Sequence, residues 1–283
     1  MSSLPRVFAY RDHEPTIDLA RWKPHKVYCT QRVDHVDQPG VLFVVKFCQG
    51  RKGAAAMVSE VVCRALLSYG GLRVLEAFTV SASRNFSFSW NANSACPFPI
   101  VPGLYFGTRF RDDVESGPPT RVNMVHTIED IVDLWAFDSW LCNLDRATEG
   151  NMLLQPSGDG PTFRVIAADQ SDCFCGSESL ASGEWQNRMR VRPSSEGCFV
   201  AEAIAASGGG QRIRYAVEKT RAAFARLDEA FDEVPGEWWA NSGIGPDQIR
   251  NSLYERLGRL REILNADQWG NFDYGQLANI PRL

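Results

Sequence analysis

Apolar residues recur along this chain in two rhythms, and the change from one to the other divides it. VLFVVKF at 41–47 is β-branched and aromatic and follows the Pro39-Gly40 turn, which predicts a strand. AAAMVSEVVCRALLSYGG at 54–71 switches to helical spacing: Val58, Val62 and Leu66 recur at every fourth position, and Gly70-Gly71 ends the run. LRVLEAFTVSA at 72–82 predicts a second strand. Residues 83–120 are rich in Asn, Ser, Pro and Gly and predict loop with short strands, GLYFGTRF among them.

A helix is predicted from Thr127, with Thr127 as N-cap, Glu129 and Asp130 in the first turn, and Ile131, Trp135 and Leu141 near one face. TFRVIAADQ at 162–170 predicts another strand. Beyond it RIRYAVEKTRAAFARLDEAF and PDQIRNSLYERLGRLREIL carry helical periodicity toward the end of the chain. SGGGQR at 207–212 lacks the Lys-Ser/Thr ending of a phosphate loop and predicts a flexible connection before a helix. GEWWANSG at 236–243 predicts a packed aromatic helix start. Strands and one helix, followed by a mostly helical half, imply an α+β protein of two lobes. Residues 1–110 would form the smaller, strand-rich N-terminal lobe and 111–283 the C-terminal lobe, with the join near 105–125.

Composition adds few constraints. With 283 residues and 44% hydrophobic content the chain can bury a substantial core. A net charge of −4 gives no global attraction to nucleic acid or to an anionic membrane. No apolar stretch reaches the length of a membrane span, and the N-terminal residues have neither the basic start nor the apolar core of a secretory signal, so a cytoplasmic location is expected. The eight cysteines are scattered without a Cys-x-x-Cys, and the four histidines lie far from them. That spacing argues against structural zinc and for reduced, mostly buried thiols.

Candidate chemistry begins with Lys46. Only five of the 30 basic residues are lysine, and Lys46 lies inside the most apolar strand. A buried ammonium needs an anion, whereas a lysine on an edge strand can snorkel to water. Glu60, beside the stripe of the following helix, could supply that anion or could pair with Arg64 on the surface. Further on, Asp145 and Asn151 sit in a turn after a helix, and Asp169 ends an apolar strand. Each is individually ordinary at a turn. As an ordered set, Lys, Glu, Asp, Asn, Asp has the chemistry of phosphoryl transfer: a lysine for phosphates, an aspartate to accept or orient the proton of the incoming hydroxyl, and hard oxygen ligands for magnesium. Asp172 is the rival to Asp169, which is better placed at the strand end. Arg188, Arg190 and Arg192 are expected to solvate a loop.

The phrases FVVKF, SEVVCRALLSYGGLRVLEAF, PGLYFGTRF, AFDSWLCNLDRATEGNMLL and VIAADQSDCF resemble the HipA-like kinases, in particular a compact bacterial branch without the extra N-terminal region of larger members. The resemblance runs from about residue 40 to 175. It implies a bilobal protein-kinase-like fold, distantly shared with phosphoinositide kinases, and ATP- and Mg2+-dependent transfer to Ser or Thr of a protein acceptor. Lys46 would contact the ATP phosphates, Glu60 would orient it, Asp145 would be the catalytic aspartate, and Asn151 and Asp169 would hold Mg2+. The sequence departs from the family at two places. The Asn follows Asp145 by six residues instead of five, and YCTQRVDHVDQPGV before Lys46 contains only Gly40 where a Gly/Ser-rich phosphate loop is expected. A lipid or small-molecule kinase, an AMP transferase, and a nucleotide-binding pseudokinase are the alternatives on the same fold.

Overall fold

The most apolar run of the sequence becomes an inner strand of a sheet. The structure, a computed structural model, describes residues 6–8, 28–34, 42–48, 50–84, 100–117, 122–143, 145–146, 148, 150–158, 160–185 and 197–264. Strands β1 (Arg6–Phe8), β2 (Tyr28–Asp34), β3 (Leu42–Cys48), β4 (Ala77–Ala82) and β5 (Gly103–Arg109) form a five-stranded sheet of order β1-β4-β5-β3-β2. The β1–β4 pair is parallel and the others are antiparallel, with Lys46 opposite both Thr30 and Phe106. β3 is therefore flanked on both sides, and Lys46 has no sheet edge along which to reach water. It is buried, which rules out the snorkelling alternative.

Helix α1 (Gly50–Tyr69) starts four residues earlier than the periodicity predicts and is buried on nearly every face. Small side chains at Ala54, Ala55 and Ala56 and a long apolar run suit a helix enclosed on both sides, here between the sheet and the helical half. The strand predicted at 72–82 begins only at Ala77. The preceding residues cross toward the other half, where Val74 bridges Ala167 and the Ala167 N–H donates to Arg73 O at 2.9 Å.

The second half contains a three-stranded sheet of β6 (Glu115–Ser116), β7 (Met152–Pro156) and β8 (Phe163–Ala167). Its helices are α2 (Glu129–Leu141), α3 (Ser177–Ser182), α4 (Gly197–Ala206), α5 (Gly210–Phe224), α6 (Leu227–Asp232), α7 (Gly236–Ser242), α8 (Pro246–Gly258) and α9 (Leu260–Ile263). The expected hydroxyl cap of α2 is not made: Ile128 occupies the N-cap, and Thr127 offers its carbonyl to the Asp130 N–H at 3.1 Å instead. β7 pairs with β8 over five residues, a strand that the short NMLL run did not announce. Of SGGGQR, residues 207–209 form the turn between α4 and α5, and Gly210, Gln211 and Arg212 already belong to α5. The Arg188, Arg190 and Arg192 loop and residues 35–41, where a phosphate loop was sought, lie outside the described residues. Among the described residues no helix is long and apolar enough to cross a membrane.

The segment around α7 joins the halves. The Trp238 indole N–H donates to Leu104 O on β5 at 3.1 Å, and the Leu104 N–H donates to Glu237 at 3.3 Å. From α1, Arg51 donates to Ser242 O at 2.9 Å, while Arg64 and Tyr69 reach the two oxygens of Glu233 at 2.8 and 2.9 Å. The aromatic run is thus a packed helix, with Trp238 buried.

Candidate active site

Lys46 and Glu60 meet because β3 and α1 are consecutive and packed together. Lys46 Nζ donates to Glu60 Oε1 and, at 2.5 Å, to Asp169 Oδ1. The Arg64 partner considered for Glu60 is engaged elsewhere, on Glu233. Glu60 Oε2 accepts the Gln170 N–H at 2.9 Å, and the neighbouring Ser59 hydroxyl donates to Gln170 O at 2.7 Å. Two adjacent residues of α1 therefore grip both main-chain groups of the residue after Asp169.

Asp169 follows β8 in a left-handed conformation, φ 51°, which directs its carboxylate back toward β3. Its Oδ1 also accepts from the Ser171 hydroxyl at 2.6 Å and the Ser171 N–H at 3.2 Å. Burial opposes charge on both carboxylates, with unequal results. At Asp169 the charge and hydrogen bond of Lys46, with the Ser171 hydroxyl, outweigh burial and hold the carboxyl well below the usual range. At Glu60 burial prevails over Lys46, with the Asp169 charge acting in the same sense as burial, and the carboxyl is pushed up to about 7.

The facing loop begins where α2 ends. The Asn143 N–H closes onto Asp138 O at 2.9 Å, and the Asn143 side chain accepts the Asp145 N–H at 3.0 Å. Asp145 Oδ1 accepts from the Thr148 hydroxyl, and Oδ2 accepts from Asn151 Nδ2 at 2.9 Å. Asn151 Nδ2 also donates to Asp145 O at 2.6 Å. The extra residue between Asp145 and Asn151 is absorbed here: Gly150 takes φ 96°, and the Asn151 N–H folds back onto Thr148 O at 3.1 Å. The offset that set this sequence apart is compatible with direct Asp145–Asn151 contact.

Arg146 organises the region from behind, a role the sequence did not reveal. Its Nε and Nη2 pair with the two oxygens of Asp138 at 2.9 and 3.0 Å. Nη1 donates to Asn151 O and, at 2.6 Å, to Ala168 O, and Nη2 donates to Gln170 Oε1 at 2.7 Å. The only available hint was an aspartate, Asp138, within the apolar run AFDSWL of α2.

These elements border a cavity of about 800 Å³, within the range of sites that hold a small organic ligand. Val44, Phe106, Leu153 and Ala167 give it an apolar part, and Lys46, Glu60, Asp145, Asn151 and Asp169 all line it. Asp172 does not. Its carboxylate lies against Gly176, 3.3 Å from where a Cβ there would sit. Among the described residues no three His, Cys, Asp or Glu side chains are grouped to hold a metal by themselves. Asn151 and Asp169 bring to it an amide and a carboxylate, oxygen donors of the kind Mg2+ takes while keeping waters and phosphate oxygens in its shell.

No family model matches the chain, and neither does any curated protein. Solved structures do. The Helicobacter pylori proinflammatory kinase CtkA is similar over 95% of this chain and 100% of its own, at 11% identity and a TM-score of 0.55. HipA of Shewanella oneidensis MR-1, solved with HipB and operator DNA, aligns over 93% of this chain and 68% of its own, at 11% identity and a TM-score of 0.41. The likeness to the first establishes a bilobal, kinase-like α+β fold for this chain.

Proposed function

We propose that this protein is an ATP- and Mg2+-dependent phosphotransferase of the HipA-like kind, acting in the cytoplasm on Ser or Thr of a protein acceptor. The observation that carries the reading is Lys46, a buried ammonium between a helix carboxylate and a cleft carboxylate, in a cavity that Asp145 and Asn151 also line. Lys46, oriented by Glu60, would bind nucleotide phosphates. Asn151 and Asp169 would hold Mg2+, which supplies charge neutralisation to those phosphates. Asp145 would receive or orient the proton of the acceptor hydroxyl as its oxygen bonds the γ-phosphorus and ADP departs. The protein acceptor comes from the family resemblance alone.

One feature favours a second reading, a nucleotide-binding pseudokinase: the single glycine in YCTQRVDHVDQPGV. Fewer glycines leave fewer backbone N–H groups able to approach a phosphate closely. ATP labelled at the α or γ phosphate separates the possibilities. Transfer of γ label to a protein supports the proposal, and transfer to lipid or a small molecule keeps the chemistry but changes the acceptor. Transfer of α label makes the protein an AMP transferase. Binding of nucleotide with no transfer to itself, to casein-like acceptors or to cell extract selects the pseudokinase.

A further inference from the structure

Two pairs of thiols lie close to the segment after Asp169, and they differ in access. Cys63 and Cys173 are both buried, the Cys173 thiol donates to Gln170 Oε1 at 4.0 Å, and burial, with Cys63 nearby, pushes the Cys173 thiol well up. Such thiols are inert. Cys142 and Cys175 have their sulfurs 3.0 Å apart, and Cys175 is partly exposed. The main chain holds this second pair in register: the Cys175 N–H donates to Cys142 O at 3.1 Å, and the Phe174 N–H donates to Leu141 O at 2.8 Å.

We propose that Cys142 and Cys175 form a thiol–disulfide exchange site for low-molecular-weight disulfides such as oxidised glutathione, and that its closure acts on the loop carrying Asp145. Cys142, Phe174 and Cys175 all adopt left-handed backbone, φ 53°, 59° and 63°. Non-glycine residues seldom do so, and here the conformation brings the two cysteines face to face. The hydrogen bond shared with Cys175 and, less strongly, the buried Arg256 guanidinium favour thiolate at Cys142 against the opposing effect of burial. The carboxyl end of α2 acts in the opposite sense.

The exchange balances in two steps. Cys142, the thiolate of the pair, takes the proton of the more exposed Cys175, whose thiolate attacks one sulfur of glutathione disulfide, forming a mixed disulfide and releasing one glutathione thiolate. Cys142 passes that proton to the released glutathione, then attacks the Cys175 sulfur and expels the second glutathione as a thiolate, which is protonated from solvent. The protein gives up two electrons and the Cys175 proton, solvent supplies the second proton, and one disulfide becomes two thiols. A disulfide bond is about 2.05 Å long, so the sulfurs must close by about 1 Å. Cys142 is the residue from which the chain enters Asn143 and Asp145, so that movement is delivered to the loop.

The thiol chemistry stands apart from the phosphotransferase reading; only its effect on transfer rests on it. Reduced protein is incubated with oxidised glutathione, alkylated, digested and analysed by mass spectrometry. The expected product is a Cys142–Cys175 link in wild type and in Cys63→Ser, and a retained glutathione on Cys175 in Cys142→Ser. Lasting glutathione on wild-type Cys175, a link between other cysteines, or no modification overturns the site. Coupling is read in the same samples by amide hydrogen exchange of the peptide spanning 142–151. Altered exchange on oxidation, reversed by dithiothreitol and missing in Cys175→Ser, is expected, and identical exchange overturns the coupling. Where the reduced protein transfers phosphate, oxidation should slow it by about 10- to 100-fold, since misplacement by about 1 Å costs that order. A reduced protein that transfers nothing counts against the phosphotransferase proposal and leaves the disulfide result intact.

Discussion

Lys46 and Arg146 are both buried cations, each 8% exposed, yet their surroundings differ in kind. Arg146 has five N–H donors and five acceptors, all protein groups, and Asp138 matches its charge one for one. Nothing is left for a ligand to complete. Lys46 faces two carboxylates, so the cluster carries surplus negative charge when both are ionised, and 27% of the Asp169 side chain is open. A saturated pair holds architecture, whereas an unbalanced one is ready for a cation and its phosphates. The contrast separates residues that build the candidate site from residues that would work in it.

The largest expected effect tests the working side. Asp145→Asn keeps size and most hydrogen bonding, including a side-chain oxygen, but removes the charge. Phosphoryl transfer should fall by about 10²- to 10⁴-fold while Mg-nucleotide binding stays near wild type. Transfer at the wild-type rate would make Asp145 a turn residue. Next comes the building side. Arg146→Met leaves Asp138 buried without its partner and should cost about 3–5 kcal/mol, read as a lower urea midpoint at unchanged slope. A stable Arg146→Met protein would erase the distinction between the two buried cations.

Glu60 supplies the third test. Its carboxyl titrates at about 7 in the folded protein against an ordinary 4.5, so between those values the folded state binds the extra proton. Its contribution to stability therefore declines as pH rises through that window, by up to about 3 kcal/mol. Asp169, held low, acts oppositely, but only as pH falls below its ordinary 3.8. Urea unfolding from pH 5 to 8.5 should show the decline in wild type and a flatter profile in Glu60→Gln. Equal slopes would assign the titration to another group. The smallest effect is ligand stabilisation: Mg-ATP at a hundredfold excess over Kd should add about 2.7 kcal/mol, and ATP with a chelator much less. Asp169→Ala should abolish the magnesium-dependent part and Asp172→Ala should retain most of it; the reverse pattern would move the ligand to Asp172.

What could be read from the sequence was local. β3 and α1 announce themselves by rhythm, and Asp145, Asn151 and Asp169 stand at turns whose spacing is visible in the chain. Long-range partners were not readable. Lys46 could be an edge residue until the sheet order put β2 and β5 on either side of it. Glu60 had a local alternative in Arg64 at i+4, but Arg64 binds Glu233, 169 positions away. Arg146 stands beside the candidate catalytic aspartate, and its importance depends on carbonyls that only the folded chain brings together. Thr127 shows the opposite limit, since a good capping residue by type was displaced by the turn at Ile128.

The clamp between α1 and the α7 segment has a thermodynamic consequence. Arg51, Arg64 and Tyr69 fix the Glu60 helix to the helical half without any ligand. The freedom lost in forming the Lys46–Glu60 pair is thus surrendered during folding, not during association. A nucleotide entering this cleft meets a preorganised wall. The heat-capacity change on binding should scale with the ligand's own buried surface, without the added increment that ordering a helix would contribute.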